Sequence, residues 1–259
     1  MLDFGPTKKN EIKSSLIGEL VDRAHQAHNK QQTQREYLGG SRLGIECKRA
    51  LYYEFKKAPK DEGRDFSANI LRVFDMGHDG EDRAADYLRR AGFELLTENN
   101  EGEQFEVSDA DGLIKGHTDG VIVGGPENVL PYPVLWENKT AKNSKFNEMK
   151  KHGCKKANRV YYVQQQVYMA YLNLENSLFT MVNRDTGEVY YEVVPLVVKD
   201  AQDAIDKGLK IVTANNAEEL PRAAANPTMF VCKWCDYHST CWKEPDSTTL
   251  KPTEEPKWL

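Results

Sequence analysis

The 259-residue chain lacks any run that approaches the roughly 18 apolar residues needed for a membrane-spanning helix. Its first nine residues contain no apolar signal core, so we expect neither a membrane protein nor a secreted one. Internal repeats and low-complexity stretches are also missing. With 39% hydrophobic and 29% charged residues, the composition is typical of a globular cytoplasmic protein with one large domain or two small ones.

Cysteine is scarce, and the five cysteines are unevenly placed. Three of them follow a C-x2-C-x5-C spacing at Cys232, Cys235 and Cys241, whereas Cys47 lies 185 residues before the first of these. A reducing cytoplasm favours metal ligation over disulfides. Three clustered thiols and one distant thiol therefore predict a four-cysteine metal or iron–sulfur site that joins the two ends of the domain. Cys154 is predicted to be a free thiol in a basic loop.

The net charge of −5 argues weakly against a general nucleic-acid coat protein, but the charges are not evenly distributed. Residues 139–159, here called the basic strip, contain eight bases against one acid, Glu148. The bases are Lys139, Lys142, Lys145, Lys150, Lys151, Lys155, Lys156 and Arg159. A basic strip next to an acidic site suits a protein that holds phosphates and gathers cations. The alternative interpretation is a solvated charged face.

Hydrophobic periodicity predicts an α/β chain. Helices are predicted at residues 11–37, 42–56, 67–91, 144–152, 159–174 and 199–219. Strands are predicted at residues 93–97, 104–107, 113–123, 134–139, 178–183 and 189–196. Within the third helix, Ile70 and Phe74 are spaced for burial together with Ala84, Ala85 and Leu88. This order of elements favours a mixed sheet with helices on both faces.

Two acidic residues and a lysine form the central candidate site. Asp119 lies where a strand-like run breaks at Gly120, and Glu137-Asn138-Lys139 closes the next strand. Alternation along that strand puts Glu137 and Lys139 on the same face. Carboxylate oxygens suit Mg²⁺ or Mn²⁺, and a neighbouring lysine can stabilise charge that develops on a phosphate. A surface Glu–Lys pair at a strand end remains the alternative, because an E-x-K triplet is common.

Three further residues add specificity to this pattern. His78 lies on the long predicted helix before the strands, and Gln164 and Tyr168 are one turn apart on the helix after the basic strip. The ordered set of His78, Asp119, Glu137-x-Lys139 and Gln164-x3-Tyr168, framed by the cysteines, resembles the PD-(D/E)XK nuclease superfamily. The resemblance is to its RecB-like branch with an iron–sulfur cluster, which includes CRISPR-adaptation nucleases and AddB-type nuclease domains.

The stretch from Glu137 to Met169 is also similar to phage exonucleases of the lambda type, and the whole resemblance runs from about Ser41 to Trp242. Two departures are visible. Thr118 stands where the superfamily name has proline, and a Gln164-Gln-Gln166 run leaves the helix glutamine open. Gln164 is preferred over Gln166 because Tyr168 follows four residues later.

The resemblance implies a restriction-endonuclease-like core: a central mixed sheet flanked by helices, with N-terminal helices and a C-terminal cysteine cluster. It implies an N-terminal helical extension (1–40), a nuclease domain (41–242) and a flexible tail (243–259). The implied metal ligands are His78, Asp119, Glu137 and the backbone carbonyl of Asn138. The implied catalytic residues are Asp119, Glu137, Lys139, Gln164 and Tyr168. The implied 4Fe–4S ligands are Cys47, Cys232, Cys235 and Cys241.

The function expected from this resemblance is that of an Mg²⁺- or Mn²⁺-dependent DNA exonuclease acting in phage or bacterial recombination, repair or replication. Its expected partners are DNA with free ends and a recombination or replication protein. Phosphate contacts are expected from Arg42, Lys142, Lys145, Lys150 and Lys151. Two alternatives stay open: a non-catalytic nucleic-acid-binding module with structural zinc, and a degenerate nuclease fold acting as a scaffold. The intact Asp119, Glu137 and Lys139 argue against the scaffold.

Overall fold

The computed structural model describes residues 14–243, without the side chain of Ser14. The predicted flexible tail, apart from its first residue, and the first part of the predicted N-terminal extension lie outside this range. The helices are α1 (Ser14–Gln31), α2 (Lys48–Phe55), α3 (Ala68–Arg90), α4 (Asn143–His152), α5 (Cys154–Ala157), α6 (Arg159–Leu172), α7 (Val198–Val212), α8 (Phe230–Lys233) and α9 (His238–Lys243). The strands are β1 (Leu38–Gly39), β2 (Glu94–Leu96), β3 (Glu106–Asp109), β4 (Ile114–His117), β5 (Gly120–Gly124), β6 (Val134–Ala141), β7 (Asn176–Asn183) and β8 (Val189–Pro195).

The strands form two sheets. The larger one has the order β2-β5-β6-β7-β8, with β6 and β7 parallel and the other neighbours antiparallel. The smaller one has the order β1-β4-β3. The short link from β4 to β5 carries the chain from the small sheet to the large one. Asp119 lies in that link, so it is held between the two sheets.

Helices cover both faces of the large sheet. The C-terminal half of α3 packs through Ala84, Ala85 and Leu88 against Trp136 of β6. On the opposite face, α6 packs against β6 and β7, and the rings of Tyr161 and Phe179 lie 6.3 Å apart. The predicted mixed α/β fold with a central sheet flanked by helices is therefore confirmed. The domain boundaries stay a prediction.

Several predicted helices are shorter than expected. The region 42–56 begins with a 3-10 turn at Gly40–Arg42, and α2 starts only at Lys48, so Cys47 becomes its N-cap. The predicted 11–37 helix ends at Gln31, and β1 pairs with β4 instead. The last predicted helix ends at Val212 and is followed by a 3-10 turn. Within residues 14–243, no helix has the length and apolar composition that crossing a bilayer requires.

One burial prediction and one predicted loop were wrong. Ile70 and Phe74 are 43% and 44% exposed, because the N-terminal half of α3 does not share the packing of its C-terminal half on the sheet. Cys154 is a free thiol, as predicted, but it lies in α5 rather than in a loop and is fully buried, and its Sγ accepts a hydrogen bond from Gln165. Burial raises the pKa of this thiol to about 12, so it stays protonated at neutral pH. The basic residues around it had suggested a loop.

Candidate active site

Asp119, Glu137 and Lys139 converge at the junction of the two sheets. The backbone N–H of Asn138 donates to Asp119 Oδ2 at 2.7 Å, which ties the β4–β5 link to β6. Lys139 Nζ donates to Glu137 Oε1 and, at 2.9 Å, to the carbonyl of Asn138. The same Nζ lies 3.7 Å from Asp119 Oδ2. The alternation of β6 thus places Glu137 and Lys139 together, as the sequence predicted.

Glu137 is fully buried and only partly satisfied. Its Oε1 accepts hydrogen bonds from Lys139 and, at 2.5 Å, from Gln164, whereas its Oε2 has no hydrogen-bond partner among the described residues. Burial, with Asp119 nearby, raises the pKa of Glu137 to about 8, although Lys139 opposes the shift. A buried carboxylate oxygen without a donor is costly unless a cation meets it. This donor set therefore fits a hard divalent cation.

Lys139 carries the compensating charge. Burial alone would lower the pKa of Lys139, but Asp119 and Glu137 outweigh burial and raise it. The ammonium group therefore stays charged at neutral pH. It lies 5.6 Å from the ring centre of Tyr161, which forms one wall beside it.

Helix α6, on the sheet face opposite α3, contributes side chains to the site. Gln164 contacts Glu137 directly, whereas Gln166 donates to the carbonyl of Pro195 and accepts from the N–H of Val197. Of the two candidate glutamines, Gln164 is therefore the one that faces the acidic residues. Tyr168 is buried against Gly40, where an added Cβ would lie 2.8 Å from its Cε1 atom, and against Gly116, where the approach is closer still. Glycines at these positions allow the tyrosine ring to pack against both β4 and the turn after β1.

A cleft of about 400 Å³ opens over Asp119, Gln164 and Tyr168. His78 lies on its wall, as does Glu81 one turn later on α3. Burial and the nearby Asp119 raise the pKa of Glu81 to about 7. Glu81 was not predicted from the sequence, although its spacing from His78 on one helix was a usable signal. Gly80 helps to place both residues, because it lets α3 approach Thr140 of β6.

The basic residues that line the cleft differ from those predicted to bind DNA. Arg35, Lys115 and His117 line it, as do Tyr37 and Ser41. None of the four lysines predicted to bind DNA lines the cleft. Lys145 pairs with Glu148 at 2.7 Å, Lys150 pairs with Glu188 at 2.5 Å, and Lys142 and Lys151 are exposed. Arg42 pairs with Glu54 at 3.0 Å and lines a different cavity.

That second cavity, of about 230 Å³, is lined by Cys47, Cys232, Cys235 and Cys241. The four cysteines are free, and burial with the neighbouring thiols raises the pKa of Cys235 to about 11. Four thiols that line one cavity suit a cation that would stabilise their thiolates. In residues 14–243, no group of three or more His, Cys, Asp or Glu side chains is already arranged to hold a metal ion.

Comparisons with known proteins bear on the family. A family model of the PD-(D/E)XK nuclease superfamily matches residues 3–242. A search of curated proteins found no match. The crystal structure of SSO0001 is similar at a TM-score of 0.50 and 15% identity, covering 90% of this chain and 98% of that one.

Two structures of an alkaline exonuclease (LHK-Exo) from Laribacter hongkongensis are also similar. One has a TM-score of 0.48 and 14% identity, and covers 73% of this chain and 90% of that one. The other, a complex with dAMP, has a TM-score of 0.47 and 12% identity, and covers 68% and 86%. At sequence identities this low, structural similarity is informative about the fold alone. Because the family model spans nearly the whole chain, the protein belongs to the PD-(D/E)XK nuclease superfamily.

Proposed function

We propose that the protein is an Mg²⁺- or Mn²⁺-dependent deoxyribonuclease that digests DNA from free ends. The observation that carries the proposal is the buried Glu137, beside Asp119 and the charged Lys139; its Oε2 has no donor within residues 14–243. A protein without chemistry at this position would have little reason to bury an acid at such a cost. The cleft that Asp119 lines, of about 400 Å³, is open enough to admit a phosphate.

In this proposal Asp119, Glu137, the carbonyl of Asn138 and His78 hold the cation. When bound, the metal would polarise a phosphate oxygen and lower the pKa of a water molecule. Lys139 stabilises negative charge on the phosphate in the transition state, since its ammonium group is held at the site by the neighbouring carboxylates.

Gln164 and Tyr168 act on the site from α6. Gln164 fixes the rotamer of Glu137 through its 2.5 Å hydrogen bond, so that Oε2 points away from the helix amide. Tyr168 holds the strand before Asp119 in place and supports the DNA beside it. We add Glu81 to this set, as a third acid whose raised pKa and position in the cleft suit an auxiliary ligand or proton acceptor.

We further propose that Cys47, Cys232, Cys235 and Cys241 hold a 4Fe–4S cluster, which would place the protein in the RecB-like branch. The shared cavity supports this assignment, because four thiols from distant parts of the sequence line one space. Ser41 lines the catalytic cleft, and Cys47 follows it at the start of α2. The cluster would therefore join this part of the chain to the C-terminal helices.

DNA is the proposed partner. Lys142, Lys145, Lys150, Lys151 and Arg42 are proposed to contact phosphates outside the cleft, with a recombination or replication protein as a further partner. Within the cleft, Arg35 and Lys115 offer additional cationic groups.

A time course on end-labelled single- and double-stranded DNA, with Mg²⁺, Mn²⁺ or EDTA, tests the proposal. We expect degradation only with a divalent cation, and the position of the label reports the polarity. Binding without degradation would favour the non-catalytic module. The visible spectrum separates the metals, because an iron–sulfur protein is brown and a zinc protein is colourless.

A further inference from the structure

Three buried polar side chains form a hydrogen-bonded chain on β6 and β7, on the face of β6 opposite Glu137 and Lys139. Trp136 Nε1 donates to Thr180 Oγ1 at 3.1 Å, and Thr180 Oγ1 donates to Asn138 Oδ1 at 2.8 Å. Trp136 is 0% exposed, Thr180 1% and Asn138 4%. Asn138 and Thr180 also face each other in the parallel register of β6 and β7.

Asn138 connects this chain to the catalytic groups through its backbone. Its N–H donates to Asp119 Oδ2 at 2.7 Å, and its carbonyl accepts from Lys139 Nζ at 2.9 Å. Both peptide groups that flank the Asn138 Cα atom therefore point at site residues. The orientation of these two peptide groups depends on the backbone conformation of Asn138. Thr180 holds the Asn138 side chain on the opposite face of β6.

We propose that Thr180 is a positioning residue of the metal site. Its hydroxyl group holds the Asn138 side chain, and thereby aims the Asn138 N–H at Asp119 and the Asn138 carbonyl into the site. The inference rests on the proposed function, because it concerns the residues proposed to hold Mg²⁺ or Mn²⁺. Thr180 does not line the cleft, and its hydroxyl group is hydrogen-bonded to Trp136 and Asn138.

The hydroxyl group, rather than the size of the side chain, carries this role. Thr180→Val keeps the β-branched shape in β7 but leaves Asn138 Oδ1 without its donor. Loss of a hydrogen-bond partner behind a metal ligand typically costs about 10- to 100-fold in metal affinity or activity. Because the link here passes through a backbone, we expect a loss of about 10-fold.

Trp136→Phe is the matched control. It removes the Trp136–Thr180 hydrogen bond, which Thr180→Val also removes, but leaves the Thr180–Asn138 hydrogen bond intact. Both variants should melt at a lower temperature than the wild type. Only the loss of the second hydrogen bond should reach the metal site. Thr180→Ser keeps the hydroxyl group and should restore wild-type behaviour.

The experiment is calorimetric titration of Mn²⁺ into the full-length wild type and the three variants, with melting temperatures measured in parallel. We expect the Kd of Thr180→Val to rise about 10-fold, and those of Trp136→Phe and Thr180→Ser to stay within about twofold of the wild type. If Thr180→Val does not fold, Asn138→Ala cuts the same link from the other end and should give the same rise.

Suppose that the wild type binds Mn²⁺ and cleaves DNA, but Thr180→Val and Trp136→Phe bind Mn²⁺ with equal Kd. This result would overturn the positioning role and leave the proposed function intact. A wild type that binds no Mn²⁺ would overturn both.

Discussion

Replacing Glu137 by Gln should raise the stability of the metal-free protein at alkaline pH and abolish its nuclease activity. Burial and the nearby Asp119 raise the pKa of Glu137 from 4.5 to about 8, so the folded state binds a proton that the unfolded state has released. Stability should therefore fall as pH rises from about 4.5 to 8, and the fall should level off above that range. The amide of the Glu137→Gln variant has no such proton to release.

The size of the effect follows from the pKa shift. If the whole shift from 4.5 to about 8 acts on stability, ionisation of Glu137 lowers the free energy of unfolding by roughly 5 kcal/mol, at about 1.4 kcal/mol per pKa unit. The new amide N–H group replaces an Oε2 that has no hydrogen-bond partner in the described part of the chain, and an unsatisfied buried donor costs about 1–3 kcal/mol. We therefore expect Glu137→Gln to be more stable than the wild type by about 2 kcal/mol at pH 8. The advantage should disappear near pH 5.

The assay is urea unfolding at pH 5 and pH 8 in EDTA, with Glu148→Gln as the control. Glu148 is exposed, and its hydrogen bond with Lys145 lowers its pKa, so its replacement should not stabilise the protein at pH 8. A wild type that is as stable as Glu137→Gln at pH 8, or a difference that does not grow from pH 5 to pH 8, would show that burial does not raise the pKa of Glu137.

Three further predictions concern the acids, the thiols and the basic strip. Asp119→Asn should lose cleavage but retain DNA binding in a filter or anisotropy assay, and near-normal cleavage would remove Asp119 from the site. Cys47→Ser should bleach the protein and lower its melting temperature, since closing a loop of this length stabilises the folded state by roughly 5 kcal/mol in the chain-entropy account. Cys154→Ser should leave the colour unchanged, and bleaching by Cys154→Ser while Cys47→Ser stays coloured would show that the ligand set is wrong. A Lys142→Ala, Lys145→Ala double mutant should weaken DNA binding similarly across sequences and flatten its salt dependence, by about one unit of log–log slope for each lysine–phosphate interaction removed. Equal slopes would show a solvated face.

Much of the fold followed from local patterns. The strand from Val134 carries β-branched and aromatic residues, and its alternation correctly placed Glu137 and Lys139 on one face. The start of α3 after Ser67 and its end before Gly92 also matched the pattern, because Ser67 caps the helix and Gly92 takes a positive φ of 91°.

What the sequence could not supply was long-range geometry. Periodicity treats a helix as uniform, so it could not show that Ile70 and Phe74 lie on the half of α3 that leaves the sheet. Charge runs also do not reveal partners, and Lys150 is paired with Glu188, which is distant in the sequence. Arg35 lines the cleft from the link between α1 and β1, and that link carries no sequence motif.

If Asp119, Glu137 and Lys139 form a metal-dependent nuclease site, nucleotide release must depend on both the divalent cation and Glu137. Release of acid-soluble nucleotides from linear DNA should be measured for the wild type and Glu137→Gln at matched protein concentrations, with Mg²⁺ and with EDTA. We predict release only by the wild type with Mg²⁺, while Glu137→Gln remains folded and binds DNA. Nucleotide release by Glu137→Gln at the wild-type rate, or by the wild type in EDTA, would contradict this dependence.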